Sequence, residues 1–105
     1  MEFVSTNYAG DTLILKRKPF EGIAKTLTFG EGVDVIPAGS VIDTDGAVLG
    51  EDGVVEGILL HDVSKERPQG TVLKKAYINT AVAEAHASVE YDDDIKAALP
   101  MVVFE

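Results

Sequence analysis

Residues 33–62, VDVIPAGSVIDTDGAVLGEDGVVEGILLHD, decide the fold of this chain. They contain three short apolar segments, at residues 33–36, 40–42 and 54–60. Each segment is bounded by a turn signal in which proline pre-sets φ or glycine takes a positive φ, namely Pro37-Ala38-Gly39, Asp45-Gly46 and Asp52-Gly53. The last segment is almost wholly apolar, which indicates a strand buried on both faces. Gly57 inside it indicates a bulge or a close backbone approach.

The rest of the chain is also rich in strand patterns. Short strands are predicted at residues 12–16, 23–29, 71–80 and 101–104. Residues 92–99 predict one short helix, because aspartates in its first turn complement the positive end of the helix and Pro100 ends it. Residues 81–88 are rich in alanine, but they are too short and too weakly amphipathic to predict a stable helix on their own.

Composition limits the possible functions. A chain of 105 residues predicts one domain, and the absence of cysteine excludes disulfides and thiolate metal sites. The formal charge is −9, from 18 acidic and 9 basic residues, which argues against nucleic acid as a partner. No apolar run approaches the ~18 residues needed to cross a bilayer, so we expect no membrane association.

The N-terminal part of the chain differs from the rest. Residues 1–11 predict a flexible N-terminal arm that precedes a single β-rich domain of residues 12–105. The arm contains Phe3, Val4 and Tyr8. A basic cluster, Lys16, Arg17 and Lys18, follows the arm and stands just before Pro19. This cluster is interpreted either as a solvated loop or as a contact with an acidic partner.

The sequence contains no convincing catalytic pattern. The run Asp43-Thr44-Asp45-Gly46 predicts a hairpin turn rather than a calcium loop, because Ala47 and Leu49 occupy positions where oxygen ligands are needed. His61 and Asp62 are adjacent, so they point to opposite faces of a strand, and His86 has no metal-ligand spacing to His61. We therefore expect no enzyme activity, no metal and no cofactor.

Several stretches, taken in order, resemble the head decoration proteins of tailed phages, both the lambda-type trimeric protein and the related head-fibre proteins. They are LKRKPFEGIAKTL at 15–27, IPAGSVI at 36–42, VVEGILLHDV at 54–63 with VLKKAYIN at 72–79, and DDDIKAALPMVVF at 92–104. One departure is Glu56, where the family more often has a small or apolar residue before the glycine.

The resemblance implies a mostly β domain, a small barrel or sandwich of β-clip or β-tulip type, with one short C-terminal helix. It further implies a homotrimer that binds the major capsid protein at three-fold and quasi-three-fold positions on the outer surface of the expanded capsid. The protein would then be found on the virion, and in the host cytoplasm during assembly. The residues expected to contact the capsid are Phe3, Val4, Tyr8, Lys16, Arg17 and Lys18.

A second resemblance implies a different function. IPAGSVI is also similar to the corresponding step of β-clip domains of the SAF and antifreeze-like type. That likeness implies a binding module for a small molecule or a glycan. A trimer without a ligand pocket would favour the decoration protein, and a monomer with an aromatic-lined groove would favour the binding module.

Overall fold

The computed structural model describes residues 14–50 and 53–105, and for Arg17 and Lys18 the backbone alone. The predicted arm of residues 1–11 lies outside the described residues. The strands and helices, in chain order, are β1 Leu15–Thr26, β2 Val35–Ile36, β3 Val41–Asp43, β4 Val55–Leu59, β5 Val63–Ser64, β6 Gln69–Ile78, α1 Thr80–Ala87, α2 Asp93–Ala98 and β7 Val102–Phe104. The mostly β prediction is therefore confirmed, and the strands predicted in residues 33–62 all form.

The main sheet is built around β6. Its strand order is β1-β6-β4-β3, with antiparallel neighbours, and β7 pairs with β6 in parallel. Strands β2 and β5 form a separate two-stranded sheet. The turn after β3 returns to the end of β1, where the Thr28 N–H donates to the Gly46 carbonyl at 2.9 Å. This hydrogen bond connects the turn after β3 to the segment that follows β1.

Apolar residues are buried on both faces of β4 and β6. Ile58 pairs with Leu73, and both belong to the larger core cluster, which also contains Ala83, Tyr91 and Leu99 from the helical region. The next pair along β4 and β6, Leu59 with Val72, belongs to a smaller core cluster on the other face of the sheet. The buried residues of this smaller cluster are Leu27, Ile36, Ile42, Leu59, Val63 and Val72. The prediction that residues 54–60 are buried on both faces is confirmed for the part that forms the strand.

Gly57 is a point of close approach between β4 and β6. A Cβ atom at this position would overlap the Leu73 carbonyl oxygen and would lie 2.7 Å from Val72 Cγ1. The predicted close backbone approach is therefore confirmed, and it explains why a residue without a side chain stands here.

The basic residues 16–18 lie in a strand, so their interpretation as a loop between two strands is wrong. β1 runs without interruption from Leu15 to Thr26, and it includes Pro19. Its register with β6 shifts between Leu15 and Arg17, between Arg17 and Glu21, and between Glu21 and Gly22. Proline is tolerated because β1 is an edge strand with an irregular ladder, where a missing N–H costs no regular hydrogen bond.

The predicted C-terminal helix is present as α2, and the Asp92 side chain caps it by accepting from the Ile95 N–H at 2.9 Å. A second helix, α1, was not predicted. Asn79 caps it, and Ser88 ends it in a left-handed conformation with φ 56°. Tertiary packing stabilises α1, because Ala83 is fully buried against the larger core cluster.

Candidate interaction surface

Strands β1 and β6 form a basic ribbon in an acidic protein. By sequence they contain six of the nine basic residues and one of the eighteen acidic residues, a formal charge of +5. The remainder of the chain contains three basic and seventeen acidic residues, a formal charge of −14. The basic residues of the chain are thus concentrated in two neighbouring strands.

The outer edge of the basic ribbon is β1. Within the described chain, β6 is the one strand that pairs with β1, so the other edge of β1 is open. The residues from Pro19 to Ala24 are all exposed, including two large apolar side chains, Phe20 at 44% and Ile23 at 40%. An exposed edge strand with apolar side chains is a ready template for pairing with another chain.

The basic ribbon and β7 also present an open face. Ala76 and Ile78 are buried on the helix side of the sheet, so Tyr77 between them points to the opposite side. The register places Val103 beside Tyr77, and Glu21 opposite Lys75. We call these four residues the open face; Val103 is 44% exposed, and Lys75 and Glu21 are exposed.

An ion-paired group joins three strands of the main sheet. Lys74 Nζ lies 2.5 Å from Glu56 Oε2 and 2.7 Å from the Glu56 carbonyl oxygen, and Lys25 Nζ lies 3.3 Å from Glu56 Oε1. The hydrogen bond from Lys74 lowers the pKa of the Glu56 carboxyl; burial opposes this, and Lys25 adds to it. Glu56 thus has a structural role: its side chain connects β4 to both strands of the basic ribbon.

Asp62 forms an ion pair with His86. Its Oδ1 atom accepts from the Ala38 N–H at 2.8 Å and lies 2.8 Å from His86 Nε2. Burial raises the pKa of Asp62, but the hydrogen bonds from Ala38 and His86 outweigh it, so the pKa falls below its usual range. Asp62 and His86 are 24 positions apart, and no sequence pattern links them.

Tyr91 and Asp62 both form hydrogen bonds with the turn at residues 37–39. Its hydroxyl donates to the Gly39 carbonyl at 2.5 Å, and its backbone N–H donates to Glu84 Oε2 at 2.8 Å. Burial, with a smaller contribution from Glu84, raises the pKa of the Tyr91 hydroxyl. The hydroxyl therefore stays protonated and remains a hydrogen-bond donor, which indicates a structural role.

The predicted hairpin turn at Asp43 is confirmed. Asp43 Oδ1 accepts from the backbone N–H groups of Asp45 at 2.9 Å and Ala47 at 3.0 Å, and Gly46 has φ +90°. This carboxylate stabilises its own turn. Among residues 14–50 and 53–105, no group of three or more His, Cys, Asp or Glu side chains is placed to hold a metal ion.

The residues expected to contact the capsid are only partly described. Lys16 is exposed on β1. Arg17 and Lys18 lie in the same strand by their backbone, whereas Phe3, Val4 and Tyr8 lie outside the described residues. Phe20 and Ile23 are exposed surface residues that were not predicted, and their one sequence signal is their place close to the basic cluster.

An open hollow of about 600 Å³ lies at the β2–β5 sheet, lined by Asp34, Val35, Ser64, Lys65 and Glu66. Pockets for small molecules are lined mainly by apolar and aromatic side chains, whereas three of these five residues are charged. We therefore do not assign a small-molecule or glycan site to this hollow. No helix in the described part of the chain is long and apolar enough to span a membrane.

Comparison of the chain with protein-family models, with curated proteins and with solved structures gave no match. A function therefore has to be inferred from the sequence resemblance and from the surfaces of the domain.

Proposed function

We propose that this protein is a head decoration protein of a tailed phage. It binds the major capsid protein as a homotrimer, at three-fold and quasi-three-fold positions on the outer surface of the expanded capsid. It acts as a structural protein that bridges neighbouring capsid subunits and stabilises the shell, and it needs no cofactor.

The sequence resemblance suggests this function, and the exposed edge strand β1 is the observation that carries it. A decoration protein needs a surface that can attach to a preformed shell. β1 provides an edge with no strand partner among the described residues, the exposed apolar side chains Phe20 and Ile23, and the exposed Lys16. The β-rich fold with a short helix and a strand near its C-terminus also agrees with what the resemblance implies.

Attachment through β1 would combine strand pairing with apolar burial. In β-augmentation the backbone hydrogen bonds provide affinity, and the side chains provide specificity. Burial of Phe20 and Ile23 adds a term of roughly 25 cal/mol per Å² of apolar surface removed from water. The basic residues of β1 would speed the approach to an acidic shell, an effect that salt weakens.

Cosedimentation with empty expanded capsids tests the proposal. We expect the wild-type protein to bind at saturating stoichiometry, and the double variant Phe20→Ser/Ile23→Ser to lose most of that binding without a change in its thermal midpoint. Val48→Ser is the matched control, because Val48 is also exposed, at 47%, but lies outside the basic ribbon. Equal binding by the double variant and the wild-type protein would refute a docking role for β1.

Deletion of residues 1–11 tests the role of the predicted arm. We expect the truncated protein to fold and to form trimers, but to lose attachment to empty expanded capsids. The expectation follows from the sequence, in which the apolar residues Phe3, Val4 and Tyr8 precede the basic residues of β1. Cosedimentation of the truncated protein at wild-type stoichiometry would contradict it.

A further inference from the structure

We propose that residues 22–26 of β1 bind a short extended segment of the capsid protein, which adds to the main sheet as a further strand. We call residues 22–26 the pairing window. The identity of the partner rests on the proposed function, whereas the position and the form of the contact follow from the strand itself.

The backbone of the pairing window alternates between β6 and the open edge. In an antiparallel pair, successive residues direct their N–H and C=O groups to opposite sides of the strand. The register of β1 with β6 is regular throughout the window, and just beyond it the Leu27 N–H donates to the Pro68 carbonyl at 2.7 Å, on the β6 side. Residues 23 and 25 therefore point to β6 as well. The backbone groups of residues 22, 24 and 26 point to the open edge.

A hydrogen bond between β6 and the segment after β4 agrees with this direction. The Leu60 N–H donates to the Thr71 carbonyl at 2.9 Å, so the backbone groups of Thr71 point away from its register partner Ala24. Ala24 thus has an N–H and a C=O group that β6 does not use, and so has Gly22. Among the residues that the structure describes, no strand pairs with this edge. Its occupant must be an extended backbone, because a strand presents N–H and C=O groups at the same spacing.

The pairing window is bounded at both ends. Beyond Thr26 the turn after β3 covers the edge: the Thr28 N–H donates to the Gly46 carbonyl at 2.9 Å, and a Cβ atom on Gly46 would lie 2.6 Å from the Thr26 carbonyl oxygen. Before the window, Pro19 has no N–H, and the register with β6 shifts on both sides of Glu21. A regular ladder cannot continue past either end. The window therefore accepts a short strand.

One side chain of the pairing window makes the contact selective. Ile23 is 40% exposed, although its register partner Val72 is fully buried. A residue of an added strand directly beside Ile23 would have its Cβ atom about 4.5–5.5 Å from that of Ile23. An apolar side chain at this position would remove Ile23 from water. The proposed segment is therefore extended and has an apolar residue beside Ile23.

A second copy of β1 is disfavoured as the occupant. β1 contains four basic residues and one acidic residue. Two paired copies would place like charges on adjacent strands, which weakens strand pairing and association. A shell segment without an excess of basic residues has no such cost.

Proline substitution tests the direction of the backbone groups. Ala24→Pro removes an N–H that β6 does not use, so we expect it to fold and to bind empty expanded capsids about tenfold more weakly in cosedimentation. Ala24→Val is the matched control, because it adds a side chain of similar size but keeps the N–H, and it should bind like the wild-type protein. Ile23→Pro removes an N–H that points to β6, so it should lower the thermal midpoint more than Ala24→Pro does.

Amide hydrogen exchange of the wild-type protein provides a test that needs no substitution. In the free protein we expect fast exchange at Gly22 and Ala24, and slow exchange at Ile23 and Lys25, whose N–H groups point to β6. On empty expanded capsids, exchange at Gly22 and Ala24 should slow by at least the same tenfold factor. Unchanged exchange at these two residues in the capsid-bound protein would refute strand addition.

The outcomes separate this contact from the proposed function. Binding of Ala24→Pro at the wild-type affinity, with a wild-type thermal midpoint, refutes strand addition at the window but agrees with the decoration protein. Loss of self-association by Ala24→Pro in sedimentation velocity would show that a second copy occupies the window, which refutes the shell segment as its occupant. A wild-type protein that does not bind expanded capsids refutes the proposed function, and with it the capsid protein as the partner.

Discussion

Ile58 provides the most direct test of the core. Its side chain is fully buried, and its strand partners are Val41 on β3 and Leu73 on β6. Replacement by alanine removes three buried carbon groups, and at about 0.8 kcal/mol for each the transfer loss is about 2.4 kcal/mol. The cavity that remains adds to this, so the expected loss lies within the range of about 2–5 kcal/mol measured for such changes. Out of a total of about 5–15 kcal/mol, this loss is large.

Thermal and denaturant unfolding followed by circular dichroism would measure the effect of Ile58→Ala. A loss of this size should lower the thermal midpoint by roughly 10 °C or more in a domain of about 100 residues. Val54→Ala is the control, since Val54 is a neighbouring apolar residue that is 65% exposed, and it should change the midpoint little. Both variants need measurement at several protein concentrations, because oligomerisation adds to the apparent stability. A midpoint for Ile58→Ala within a degree or two of the wild-type value would show that the assigned core is wrong.

Three further predictions concern single side chains. Gly57→Ala should destabilise the domain strongly in urea unfolding, because its Cβ would overlap the Leu73 carbonyl oxygen; a stable variant would contradict the close approach of β4 and β6. Tyr91→Phe should cost about 1–3 kcal/mol in the same assay, because the buried Gly39 carbonyl loses its donor; an unchanged midpoint would refute this role. The pKa of Asp62 is lower in the folded protein than its ordinary value of 3.8, so its ionised form stabilises the fold above that pH, and this stability is lost as the pH falls through the folded pKa. Asp62→Asn should therefore reduce the dependence of the unfolding free energy on pH in that acid range. Parallel wild-type and variant curves of stability against pH would count against this role of Asp62.

The parts of the fold that the sequence predicts best are those fixed by local chemistry. The turn at Asp43 follows from a carboxylate next to a glycine, and the start of α2 follows from Asp92, which caps its first turn. The burial of Ile58 follows from an almost wholly apolar run, because a strand without alternating polar residues has no face suited to water. In each case, residues close in sequence determine the outcome.

The parts that the sequence did not predict depend on distant contacts. α1 is weakly amphipathic, and it is stabilised by the burial of Ala83 and by the contact of Glu84 with Tyr91. β1 continues through Pro19 because a shifted register with β6 accommodates the missing donor. The pair formed by Asp62 and His86 connects segments that only the folded chain brings together. Local propensity contains no information about any of these contacts.

Attachment through the edge of β1 predicts that capsid binding and self-association can be separated. Phe20→Ser/Ile23→Ser should remove capsid binding and leave the oligomeric state in sedimentation velocity unchanged, because it alters only exposed side chains of the edge strand. If the double variant lost its self-association as well, the same edge would be used between copies, and the loss of capsid binding could not be assigned to docking on the shell.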